Sequence, residues 1–108
     1  EFERMMDTDV CFVSVMLVNN ETGAINDLKA IRQIIDKKSP YCKFHVDAVQ
    51  GFCKIPFNVR LLKVDLCTIS AHKIHGPKGV GALYVKKGVK INNIIYTIFP
   101  LPTFQKCI

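Results

Sequence analysis

Four short apolar segments and one amphipathic segment organise the chain. Residues 10–18, VCFVSVMLV, form a largely apolar run rich in β-branched side chains. Such a run reads as a strand buried on both faces, as in a parallel sheet. NNETG (19–23) ends it with turn-forming residues. In DLKAIRQIIDKK (27–38), Leu28, Ile31, Ile34 and Ile35 recur at helical spacing, which predicts a helix with one apolar face. Asp27 stands where an N-cap belongs, and SPY (39–41) ends the helix. Further strands are expected at 43–49 (KFHVDAV), 64–70 (VDLCTIS) and 79–85 (GVGALYV). This order predicts an α/β fold with a mainly parallel sheet. After Tyr96 the segment TIFPLPTFQKCI carries two prolines and no clear period. It reads as an irregular tail (97–108) apart from a domain spanning 1–96.

With 108 residues the chain suits one modest domain. Its 49% apolar and 22% charged residues are ordinary for a globular protein. The net charge is +6, but the lysines are spread out and paired only at Lys37-Lys38 and Lys86-Lys87. That pattern argues against nucleic acid as a partner and leaves anionic small molecules as candidates. No apolar run approaches the roughly 18 residues of a membrane span. The opening EFERMMDTDV does not read as a signal peptide, so a cytoplasmic location is expected. Five cysteines (Cys11, Cys42, Cys53, Cys67 and Cys107) show no C-x-x-C spacing. They suggest a reducing compartment without a disulfide framework or a metal site, with Cys11 and Cys67 buried in apolar runs.

In open α/β sheets ligands bind beyond the carboxyl ends of the strands. The first strand ends at Asn19-Asn20, the second near Asp47 and Gln50, and the third at Ser70, followed by His72 and Lys73. Taken singly, Asn19 and Asn20 are turn residues, Asp47 can cap a turn, His45 is a partly buried satisfied histidine, and Lys73 is a solvated lysine. Taken together they put a carboxylate, amides, a hydroxyl, an imidazole and an amine at one rim. A lysine nucleophile serves Schiff-base chemistry with carbonyl compounds. A carboxylate opposite it suits a pyridinium nitrogen, and the combination suits pyridoxal phosphate.

The ordered set VSVMLVNNETGAI, FHVDAVQ, KIPFNV and LKVDLCTISAHKIHGPKGVGALYV closely resembles the cysteine desulfurases of the class V aminotransferase family, colinearly from about Val13 to Lys87. The resemblance implies part of a fold-type I large domain binding pyridoxal 5'-phosphate, with the strand at 79–85 antiparallel to its neighbours. It implies Lys73 as the Schiff-base lysine that also moves the substrate Cα proton, and Asp47 as partner of the pyridine nitrogen. Asn20 and Gln50 would contact the phenolic oxygen, and Ser70 and His72 the phosphate. The implied reaction converts L-cysteine to L-alanine and leaves sulfur as a persulfide on an enzyme cysteine. From there it would pass to a sulfur-acceptor protein for iron–sulfur cluster assembly or tRNA thiolation, in a homodimeric enzyme. Selenocysteine lyase or a non-catalytic remnant are the alternatives. Family members are much longer, and the resemblance matches none of the five cysteines to the persulfide position. This chain is therefore expected to be a fragment, inactive by itself.

Overall fold

A computed structural model describes residues 1–92. The boundary at residue 96, the tail 97–108 and Cys107 lie outside the described residues. Within them a four-residue helix α1 (Phe2–Met5) is followed by β1 (Phe12–Met16), α2 (Leu28–Lys38), β2 (Lys43–Asp47), β3 (Leu66–Ser70), a 3-10 turn (Ala71–Ile74) and β4 (Gly81–Val85). The short α1 is an addition to the elements expected from the pattern. The strands stand in the order β1-β2-β3-β4. β1, β2 and β3 are parallel neighbours, and β4 runs antiparallel to β3. The α/β class, the mainly parallel sheet and the antiparallel last strand are as expected.

The amphipathic pattern of α2 does what its spacing demands. Leu28 and Ile35 are buried, with Ile31 and Ile34 packed against the same core. Asp27 caps the helix, its side chain accepting from the Ala30 amide at 3.0 Å. Ser39 closes it, its amide donating to the Ile35 carbonyl. In the sheet, Val13, Leu17, Phe44, Val46 and Cys67 enter the core with the helix residues, and Phe44, Ile35, Val46 and Val64 are its largest fully buried side chains.

The other sheet face is open, which corrects the expectation that the first strand is buried on both faces. Along β1 burial alternates, with Phe12 and Ser14 exposed on either side of buried Val13. Strand register aligns Phe12, Ser14 and Met16 with Lys43, His45 and Asp47. His45 and Asp47 align in turn with Leu66 and Thr68 on β3. Period-two alternation makes these one face. Cys11 precedes β1 at this open end and is exposed, contrary to the burial expected of it, whereas Cys67 is buried as expected.

One buried charge ties helix to sheet. Asp65 is 6% exposed. Its carboxylate accepts from the Phe44 amide at 3.0 Å and lies 3.3 Å from Lys86 Nζ and 3.8 Å from the Arg32 guanidinium of α2. Arg32 also pairs with Asp36 one helical turn on. A buried carboxylate with a backbone donor and two cations is satisfied, which is the condition for tolerating it.

Candidate functional site

Because β1, β2 and β3 are parallel, their carboxyl ends share one edge. The chain leaves that edge through three polar turns. After β1, the Asn19 carboxamide accepts from the Glu21 and Thr22 amides, both at 2.9 Å. This Asx turn consumes Asn19 and leaves Asn20 exposed beside it. A side-chain bond from Asn26 to the Met16 carbonyl (2.8 Å) and the Val18–Ile25 bridge brace the same loop.

Asp47 ends β2, half-buried on the open sheet face. Its Oδ1 accepts from the Val49 amide at 2.9 Å. Its Oδ2 accepts no hydrogen bond among the described residues, so the carboxylate acts as a turn cap with one oxygen and keeps the other free. Gln50, half-buried, lies in the turn that follows. Gly51 is required next to it, since a Cβ there would stand 2.6 Å from the Leu17 side chain.

After β3 the chain enters the 3-10 turn that carries His72 and Lys73. Ser70 Oγ and His72 Nδ1 share a hydrogen bond of 2.7 Å. His75 ends the turn in the left-handed region (φ 64°), and the Gly76 amide bonds back to the Ala71 carbonyl at 2.8 Å. A Cβ at Gly76 would meet Ala71 Cβ at 2.7 Å. The glycine in HKIHGPKG is thus a steric requirement of the turn that presents Lys73. Lys73 itself is half-buried and belongs to none of the ion pairs among the described residues.

Asn20, Asp47, Gln50, Ser70, His72 and Lys73 therefore lie at or just beyond one edge of the sheet. They line an open rim. A separate cavity of about 500 Å³ lies along Phe52, Phe57, Arg60, Ile69 and Tyr84 and includes none of the six. The chemistry-bearing residues and this cavity are different places, and the rim is the better candidate because it gathers the titratable and hydrogen-bonding groups.

The donor set fits pyridoxal phosphate. The free Asp47 oxygen suits a cationic ring nitrogen, Ser70 and His72 suit a phosphate, and the Lys73 amine suits an aldehyde.

The sequence pattern pointed to these six but not to two neighbours, Ser14 and Thr68. Both bond the ring of His45: Ser14 Oγ to Nδ1 at 2.7 Å, and Thr68 Oγ1 to Nε2 at 2.8 Å. His45 is thus the satisfied, half-buried histidine expected. Burial lowers its pKa from the ordinary 6.5, against the opposing pull of the Asp47 charge. The signal that could have found Thr68 is its position two residues before Ser70, on the same strand face.

The aminotransferase class-V family model matches residues 1–95. A cysteine desulfurase IscS of Clostridium botulinum is 44% identical over 96 residues, which is 89% of this chain and 24% of that protein. Among solved structures, a NifS-like protein superposes with a TM-score of 0.83 at 46% identity, covering 89% of this chain and 26% of the other. A protein solved as SspA in complex with cysteine gives 0.78 at 32% identity, covering 86% of this chain and 27% of its own. The chain spans about a quarter of the length of the curated relatives it matches.

Proposed function

The chain belongs to the class-V aminotransferases, and from that premise we propose that it forms the lysine- and carboxylate-bearing wall of a pyridoxal-phosphate site in a cysteine desulfurase. The observation that carries this reading is the shared rim, where Lys73 follows β3 by one 3-10 turn and Asp47 ends the neighbouring parallel strand. The relatives' names add support for L-cysteine as substrate, as does a structural neighbour solved with cysteine.

In this reading each residue has one task. When bound, the cofactor would supply an electron-withdrawing ring that acidifies the Cα–H of an amino acid. Asp47 Oδ2 holds the proton on the ring nitrogen, as an opposite charge does for any nearby cation. Lys73 Nζ would hold the cofactor through its aldehyde carbon and would serve as the base for the Cα proton. Ser70 and His72 donate to the phosphate. Asn20 and Gln50 donate through their amides to the phenolic oxygen. A homodimer and a sulfur-acceptor protein belong to the same reading, as does a role in iron–sulfur or thiolation chemistry. The residues assigned to the rim include no thiol, so we expect no L-alanine release from L-cysteine by this chain alone.

The test is spectroscopic. Purified chain mixed with pyridoxal phosphate should gain a Schiff-base absorbance that Lys73→Ala abolishes. Borohydride reduction should fix the added mass on the peptide containing Lys73. A chain that stays unlabelled, or labels equally on other lysines, would overturn the reading.

A further inference from the structure

His45 has no task in that reading, yet it is the most heavily engaged polar side chain of the open face. Its imidazole bridges three strands. Ser14 of β1 takes Nδ1 at 2.7 Å, Thr68 of β3 takes Nε2 at 2.8 Å, and the Phe12 ring stacks on it with centroids 6.1 Å apart and planes 14° from parallel. Asp47 lies two residues on, on the same face, one pleat away. Thr68 is the residue directly across from Asp47 in register. An imidazole beside a half-buried carboxylate ordinarily turns to bond it, and as a cation it would pair with it. Here neither nitrogen is available. One hydroxyl can donate to the bare nitrogen while the other accepts from the N–H, so the neutral ring is fully satisfied in either tautomer.

We propose that His45 is a positioning residue: the Ser14 and Thr68 hydroxyls engage both ring nitrogens and hold the imidazole away from Asp47, which keeps that carboxylate for a cationic ring nitrogen on the open face. The inference rests on the assignment of Asp47 above. The groups that face the ring are few. Phe12 and Ser14 come from β1 and Leu66 and Thr68 from β3. The charged side chains on this face of its own strand are Lys43 and Asp47. Burial lowers the His45 pKa, against the opposing pull of the Asp47 charge.

The experiment reads His45 in the cofactor-free chain, by NMR titration of its ring. Asp47→Asn is introduced into the wild type and into Ser14→Ala/Thr68→Val. In the wild type Asp47→Asn should move the His45 titration slightly downward. In the double variant the freed ring should titrate higher, and Asp47→Asn should then lower it by a clearly larger step. Equal steps in the two backgrounds would overturn the proposal, whatever the cofactor does. If the double variant fails to fold, Ser14→Ala alone carries the same comparison. Thr68→Ser in the wild-type background, which keeps both hydroxyls, should keep the wild-type pattern.

A second arm uses pyridoxal 5'-phosphate. Between pH 8 and pH 6 the double variant should lose more affinity than the wild type, by up to about tenfold for each unit that the His45 titration has risen. His45→Gln, whose amide can both donate and accept without charge, should bind as wild type at both pH values. Undiminished binding by the double variant at pH 6 would overturn the proposal. Absence of binding by the wild type would overturn the cofactor assignment instead, while the NMR comparison still decides whether the hydroxyls hold His45 off Asp47.

Discussion

At neutral pH a buried thiol resists ionisation, and the thiolate is the reactive form. Burial pushes Cys67 up to about 11. It also raises Cys42 above the ordinary 9.0. Cys11 and Cys53 are exposed. Of these four, Cys11 and Cys53 should therefore react with a thiol reagent at pH 8 in the native chain. Cys42 and Cys67 should react only on unfolding, as peptide mapping after timed alkylation would show. Labelling of Cys67 at the rate of Cys11 would mean that the core opens locally. His45 gives a pH prediction at the same scale. Its folded pKa lies below 6.5, so the unfolded chain binds the proton that the folded chain resists. Stability is then full above the unfolded value and is lost as pH falls from 6.5 through the folded value. Urea midpoints measured across that window should decline in the wild type, and His45→Gln should flatten this part of the decline.

The helix α2 shows what one element owes to its ends and its face. Asp27 satisfies the Ala30 amide, and Asp27→Ala should cost about 1 kcal/mol. Arg32→Ala should cost more, about 1–3 kcal/mol, because it leaves the buried Asp65 with Lys86 as its remaining cation. The i,i+4 Arg32–Asp36 pair, open to solvent at Asp36, adds only about 0.5 kcal/mol or less. The Arg32 guanidinium lowers the Asp36 pKa; that share is present above pH 3.8 and fades as pH falls through the folded value. Equal urea midpoints for Arg32→Ala and wild type would show that the cluster does not hold the helix to the sheet. The helix was legible in the sequence because its cap, its period and its stop are all local. So were the strands and the polar turns after them, although the observed strands are shorter: Phe12–Met16 within 10–18, and Gly81–Val85 within 79–85. What was not legible is set by register. The partners of His45 come from strands 31 and 23 residues away in the chain. Arg32 reaches Asp65 from a different layer. The half-open burial of β1 depends on what lies over the second sheet face, which no local pattern encodes.

For the molecule as a whole, that second face sets its behaviour in solution. Phe12 is 50% exposed, Leu83 45% and Val85 37%, and Leu83 aligns with Thr68 in the row that holds Asp47. β1 and β4 are the two edge strands of the described sheet. Exposed apolar side chains beside edge strands favour contact with other apolar surfaces or with another copy of the chain. The site residues share this face and edge, so whatever packs there also closes the rim around Asp47 and Lys73. A second copy of the chain carries the same face and can cover it. Sedimentation velocity over a wide concentration range should therefore show self-association. Leu83→Lys and Val85→Lys should shift the chain toward monomer and reduce binding of an apolar dye, with little change in urea midpoint because both side chains point to solvent. A control at Leu61, 82% exposed and outside the strands, should change neither. If Leu83→Lys leaves association intact while Leu61→Lys removes it, the contact surface is the 57–63 loop, and the rim stays open in the associated form. Pyridoxal phosphate affinity should then be independent of chain concentration, whereas closure through the sheet face makes affinity rise with concentration.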